Sequence, residues 1–210
     1  MKLKKKVKRR ILIIVVLLLV ASLGFVLYKK YSNPKEEVKE TKIVNEIKKY
    51  GYKLKENKPS KYKEMFKELK KILEADEVDE EAYAKKISEM FIYDFYSLKD
   101  KTAKTDIGGV DFIYPEILEN FLENAQDTYY KYIENNIYND RKQSLPVVTN
   151  IEVVQAEQKE FEYKDTKDEK AYYVTMKWDY TDEAFSDYQK EAILVFIHED
   201  EKLHLVELQK

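Results

Sequence analysis

Few side chains in this 210-residue sequence have the types and spacing that chemistry needs. The best set is one carboxylate, two imidazoles and a phenol: Asp94, His198, His204 and Tyr172. Asp94 falls seven residues after Ile87 and four after Met90, which places it on the apolar side of a helical pattern. A carboxylate buried there has its pKa raised toward the range of a general base. With either histidine on a strand and Tyr172 as a hydrogen-bond donor, the set would suit proton transfer of the isomerase or dehydratase kind. A lone Asp on an apolar face is more often held by a Lys or a backbone N–H, and a lone His more often decorates a strand end. The four residues therefore stand as a candidate pocket, with no catalytic role assigned.

Other chemistries find less support. There is no Cys, hence no disulfide framework, no thiolate metal site and no thiol nucleophile. No Gly-x-Ser-x-Gly is present, and two histidines on strands make a poor metal site; neither a metal nor a cofactor is expected. Asp106–Ile113 holds two of the four glycines, but without the further glycine and following Lys-Ser/Thr of a phosphate loop it reads as a bulged or tightly bent strand. The acidic run Asp76–Glu81 lacks the Gly and spacing of a calcium loop and reads as a solvated turn.

The elements that must position these residues follow from periodicity. Ser60 is placed to cap a helix whose Tyr62, Met65, Phe66, Leu69, Ile72 and Leu73 share one face. Asp79 caps a second, running to about Leu98, with Val78 and Tyr83 at hydrophobic-staple positions. Pro115 opens a third, to about Asn136, with a face from Leu118 and Phe121 to Tyr132 and Ile133. From Leu145-Pro146 the period becomes two: Ile151–Tyr163 reads as a polar edge strand and Tyr172–Tyr180 alternates cleanly. Ala192–His198 and Leu203–Leu208 form a hairpin with His198 opposite Leu203 and Ile197 opposite His204. Both hairpin faces are apolar. One can cover the helices; the other, carried by Leu194, Phe196, Leu203 and Leu205 as a candidate interface, would need self-association or another protein.

The N-terminal part points to a bilayer. Ile11–Tyr28 is an eighteen-residue run without a charge, long enough as a helix for roughly 27 Å against a hydrocarbon core of about 30 Å. Seven basic residues precede it and Lys29-Lys30 follow, which predicts a cytoplasmic N-terminus and an exported remainder. A cleaved signal peptide, cut near Ser22-Leu23-Gly24, is the competing reading; no Cys follows the run to carry a lipid. Residues 1–30 hold nine of the 38 basic and none of the 40 acidic residues, so residues 31–210 carry 29 against 40 and attract no nucleic acid by charge. The expected organisation is a basic tail (1–10), a transmembrane helix (11–28), a stalk (29–58) and one extracytoplasmic α+β domain (59–210). Within the stalk, Asn33-Pro34 starts a helix to Tyr50, followed by a short strand around Tyr52 and Leu54.

The order helix, helix, short strand, helix, antiparallel meander resembles the cone-shaped nuclear transport factor 2-like fold, in which a curved sheet wraps helices. With its basic N-terminus and single span, the chain is similar over residues 1–30 and roughly 60–210 to the inner-membrane assembly component of type IV secretion and conjugation systems. The stretches DFYSL (94–98), DIGGVDF (106–112) and RKQSLP (141–146) resemble segments of membrane-anchored proteins of Gram-positive bacteria, and the excess of 35 Lys over 3 Arg looks like the product of an AT-rich genome, as in low-GC Gram-positive bacteria. The resemblance implies a non-catalytic scaffold that oligomerises at the membrane. The alternatives are a cone-fold enzyme using Asp94 and a receptor for a small ligand or wall polymer, the latter suggested by 18 tyrosines.

Overall fold

In the computed structural model the chain divides between Glu40 and Thr41. The structure describes residues 41–209 except 165, together with Ser22. Apart from Ser22, the apolar run Ile11–Tyr28 lies outside the described residues, as do the basic tail and the first part of the expected stalk. Among the described residues no helix is long and apolar enough to cross a membrane.

The domain opens with a hairpin of β1 (Ile43–Ile47) and β2 (Tyr52–Lys55). This corrects the helix expected to run to Tyr50. β-Branched Ile43, Val44 and Ile47 favour the extended chain, and Gly51 turns it at φ 70°. The hairpin buries Ile47, Tyr50, Tyr52 and Leu54 in the main core, which a helix with a weak stripe cannot do. The folded domain therefore starts at Thr41 rather than at residue 59.

Two helices follow. α1 (Ser60–Leu73) buries Tyr62, Met65, Phe66, Leu69 and Leu73, the face read from the sequence; Ser60 is its first residue and makes no side-chain cap. α2 (Glu80–Tyr96) is capped as expected, with the Asp79 side chain accepting from the Ala82 N–H. Its last seven residues, Met90 to Tyr96, are all buried, because α2 lies between α1 on one side and strands on the other; a helix apolar all round belongs in a core.

The third helix is shorter than its pattern. α3 runs Leu118–Asp127 and ends where Thr128 leaves helical geometry (φ −119°, ψ −95°). The break turns the ring of Tyr130 inward to full burial and leaves Tyr132 77% exposed, not on the buried face as expected. The Gly108-Gly109 segment is likewise no strand: Gly109, at φ 75°, precedes a short 3-10 turn, Val110–Phe112.

The meander is as read. β3 (Val148–Tyr163), β4 (Thr166–Tyr180), β5 (Glu191–Glu199) and β6 (Lys202–Gln209) form one antiparallel sheet in sequential order with β3 at its edge. His198 pairs with Leu203 and Ile197 with His204. Tyr172, Val174, Met176 and Trp178 join Ala192, Leu194, Phe196, Leu203 and Leu205 in the core beneath the helices. Three register shifts bend the β3–β4 ribbon. Ile113 bridges Leu205 in parallel, and the Tyr114 N–H donates to the Leu205 carbonyl at 2.9 Å, which extends the sheet past β6.

The second face of the hairpin is covered by the chain itself. Val195, Ile197 and Val206 are buried with Ala171 and Tyr114, flanked by Phe161, Tyr163 and Tyr173. Tyr163 packs edge-on to Tyr114 at 6.4 Å, and Lys164 meets Glu116 at 3.0 Å. The tip of the long ribbon thus reaches across to the segment after Ile113 and supplies the cover that the sequence left open.

Candidate functional site

Asp94 is buried as predicted, and the reason is a cage. The Lys58 ammonium donates to its Oδ1 at 2.6 Å and to Oδ2 at 2.7 Å. Lys101, with 3% of its side chain exposed, donates to Oδ1 at 2.8 Å. The Gly109 N–H donates to Oδ2 at 2.8 Å. The glycine segment therefore does receive an anion, through the Gly109 N–H, and that anion is the protein's own carboxylate. A Cβ on Gly108 would sit 2.0 Å from the Asp94 carbonyl oxygen, and one on Gly109 2.6 Å from the Phe91 ring. Only glycine lets this loop close on α2.

The electrostatics reverse the expected sign. Burial alone would push the Asp94 carboxyl up; the Lys101 and Lys58 ammonium groups outweigh it and hold the pKa well below the ordinary carboxylate range. Burial pulls Lys101 down, and Asp94 in turn raises it above its ordinary value. A carboxylate so held is a poor general base. Beside it, Tyr130 donates to the Phe95 carbonyl at 2.7 Å and accepts from the Gly108 N–H at 3.0 Å. The arrangement is a buried polar tie between α2, the Lys58 turn and the 99–114 segment.

The other candidates lie elsewhere. His198 Nδ1 sits 2.7 Å from Asp168 Oδ2, which also accepts from the His198 backbone N–H at 2.8 Å; Nε2 lies 3.7 Å from Glu80. Tyr172 is adjacent, with ring centroids 6.0 Å apart. Burial, then the carboxylates of Glu80, Glu81 and Asp79, push the Tyr172 phenol up to about 12. Glu80 and Asp94 are at opposite ends of one helix, about 21 Å apart at 1.5 Å per residue, so His198 and Asp94 cannot share a substrate. His204 faces the opposite side of the sheet, beside Tyr114 at 6.0 Å and Glu199 at 3.2 Å; burial, then Lys202, lower its pKa.

The candidate pocket thus resolves into three places: the Asp94 cage, the Tyr172–His198 pair, and His204 alone. The candidate interface does not hold either. Leu194, Phe196, Leu203 and Leu205 are 0–2% exposed, because the sheet turns that face to the helices. Sequence reading missed Lys58, Lys101 and Asp168, and among so many lysines and acids no spacing marks them.

Open space lies at the surface. A hollow of about 660 Å³ beside the β4–β5 connection is lined by Asn150, Glu152, Lys177, Asp179, Tyr188 and Gln189 among others. Asn150 has a positive φ of 47° at the first register shift of the ribbon. A second hollow, about 370 Å³, lies by the β5–β6 turn, where His204 joins Tyr50, Glu199 and Lys202. The gap among Tyr52, Tyr62, Phe66, Met90 and Phe112 leaves no room for water. No group of His, Asp and Glu placed to hold a metal occurs among the described residues. Compared with known proteins, the chain matches no family model, no curated protein and no solved structure.

Proposed function

We propose that this chain is a non-catalytic binding or scaffold module, anchored by Ile11–Tyr28 with its N-terminus in the cytoplasm and its α+β domain outside the cell. The observation that carries this is the Asp94 cage: the carboxylate best placed for chemistry is saturated by two ammonium groups and an N–H. The cone-like reading is supported by the order of elements, with two helices, a single β-bridge at Ile113, a third helix and a bent four-stranded meander. On this reading the contacts are made by exposed surfaces, and an envelope-spanning secretion or conjugation assembly is the natural setting. The test is the mass of the full chain in nanodiscs together with side-chain NMR. A dimer or larger assembly is expected. A strict monomer that takes a small molecule beside Asp94 would overturn the reading.

A receptor for sugar polymers is the second reading, favoured by the 660 Å³ hollow. Its amides and carboxylates suit hydroxyl groups, and the half-exposed Tyr188 ring offers an apolar face to a sugar. Titration with soluble wall-glycan fragments would show binding that Tyr188→Ala and Gln189→Ala abolish; heat-silent titration removes this reading.

A further inference from the structure

The loop between α3 and β3 carries the two most exposed large apolar side chains among the described residues. Tyr132 and Tyr138 are 77% and 81% exposed, and Ile137 between them is 48% exposed. The loop is not slack. Arg141, the one arginine beyond the basic N-terminus, donates to the carbonyls of Lys101 at 2.8 Å, Lys99 at 2.7 Å and Glu134 at 3.1 Å. Gln143 clasps the Tyr132 carbonyl at 2.8 Å and the Glu134 N–H at 3.0 Å, and the Asn136 N–H donates to the Thr102 carbonyl at 2.7 Å. Two phenol rings and an isoleucine are thus held out on a preformed backbone, so little ordering entropy remains to be lost when they are covered.

Position identifies what covers them. The Glu56 N–H donates to the Lys42 carbonyl at 2.8 Å, at the point where the chain enters the domain. Two residues on, Lys58 grips Asp94; Lys101 grips the same oxygen, and Thr102 next to it receives Asn136. Chain entry and exposed loop are therefore at the same end of the domain, where Ile43 and Val44 are also about half exposed. The apolar run ends at Tyr28 and the domain begins at Thr41; even fully extended, that connection spans no more than about 45 Å. Tyrosine, apolar in body and polar at its tip, favours the headgroup level of a bilayer. Lys131, Arg141 and Lys142 exceed Glu134 and Asp140 in the same loop by a single charge, so the rings rather than charge make most of the contact.

We propose that Tyr132, Ile137 and Tyr138 form a membrane-docking tip that seats this end of the domain in the headgroup layer of the bilayer holding its anchor. The proposal rests on the anchored reading above. The chain lacks Cys, so Tyr132→Cys, Tyr138→Cys and, as a reference at the far end of α2, Glu81→Cys each carry one fluorophore. The full chain goes into phosphatidylcholine vesicles containing nitroxide-labelled phosphatidylcholine. Expected are a blue shift and quenching at positions 132 and 138, and neither at 81. Equal behaviour at all three positions, with the chain resistant to alkaline extraction, overturns the docking tip alone and leaves the anchor standing. Release of the chain by alkaline extraction overturns the anchor, and the docking tip with it.

Discussion

At the scale of single residues, two buried titrating groups make separable predictions. The folded-state pKa of Asp94 is depressed by its lysines, so its stabilisation is fully present above the ordinary Asp value, about 3.9, and is lost as pH falls below it. Asp94→Asn leaves two ammonium groups facing a neutral amide and should cost about 3–5 kcal/mol at neutral pH. Thermal melts should show that loss and a flatter profile below pH 4 than the parent chain. A loss under about 1 kcal/mol would mean that the cage is ornamental. His204 works in a higher window. Its pKa is lowered by burial, so the folded state resists its protonation and stability falls as pH drops below about 6.5. His204→Leu should remove that part of the decline between pH 7 and 5 and leave the acid limb due to Asp94 unchanged.

At the scale of elements, the cage is only as good as the loop that closes it. Gly108→Ala drives a methyl into the Asp94 carbonyl, and either the loop or α2 must shift. The expected result is a loss larger than the roughly 0.4–1 kcal/mol that Gly→Ala gains at a site free of clash, with faster amide exchange in segment 99–114 than in α1. Unchanged exchange there would break the link between glycine and cage. The same elements show what a sequence can say. The faces of α1, the cap at Asp79 and the alternation of β4 were legible because each is written in local spacing. β2 was legible in the alternation of Tyr52 and Leu54, but β1 was not, since Ile43, Val44 and Ile47 satisfy a weak helical stripe and only their tertiary partners decide for strand. α3 was read too long because the apolar spacing continues past Asp127, while the chain breaks to bury Tyr130. Asp94 was found by its offence against an apolar face, but Lys58 and Lys101 are two among 35 lysines. That a Lys or a backbone N–H would hold it was the commoner expectation; which lysines do so, and hence the sign of its pKa, was not written in any spacing.

At the scale of the whole molecule, the sheet's two faces explain why the β5–β6 hairpin needs no partner and why the compact unit includes the opening hairpin. Val195, Ile197 and Val206 are buried under the chain's own Tyr114, Phe161 and Tyr163, so this side of the hairpin is sealed from within. The first side is sealed only if the opening hairpin is present. Tyr52 meets the Tyr83 hydroxyl at 2.6 Å, and the Tyr83 hydroxyl accepts from the Leu203 N–H at 3.2 Å, joining β2, α2 and β6 in one buried line. Tyr50 packs edge-on to Tyr83 at 5.6 Å. A truncation starting at residue 59 removes Ile47, Tyr50, Tyr52 and Leu54 from the core at once, and each large apolar side chain lost costs about 2–5 kcal/mol. That sum, about 8–20 kcal/mol, is as large as the whole stability of a typical domain, about 5–15 kcal/mol. Residues 41–210 should therefore melt cooperatively and give dispersed amide resonances, and residues 59–210 should do neither. If the shorter piece folds, the hairpin is an appendage; the stalk would then extend to residue 58, and the reach from bilayer to docking tip would lengthen accordingly.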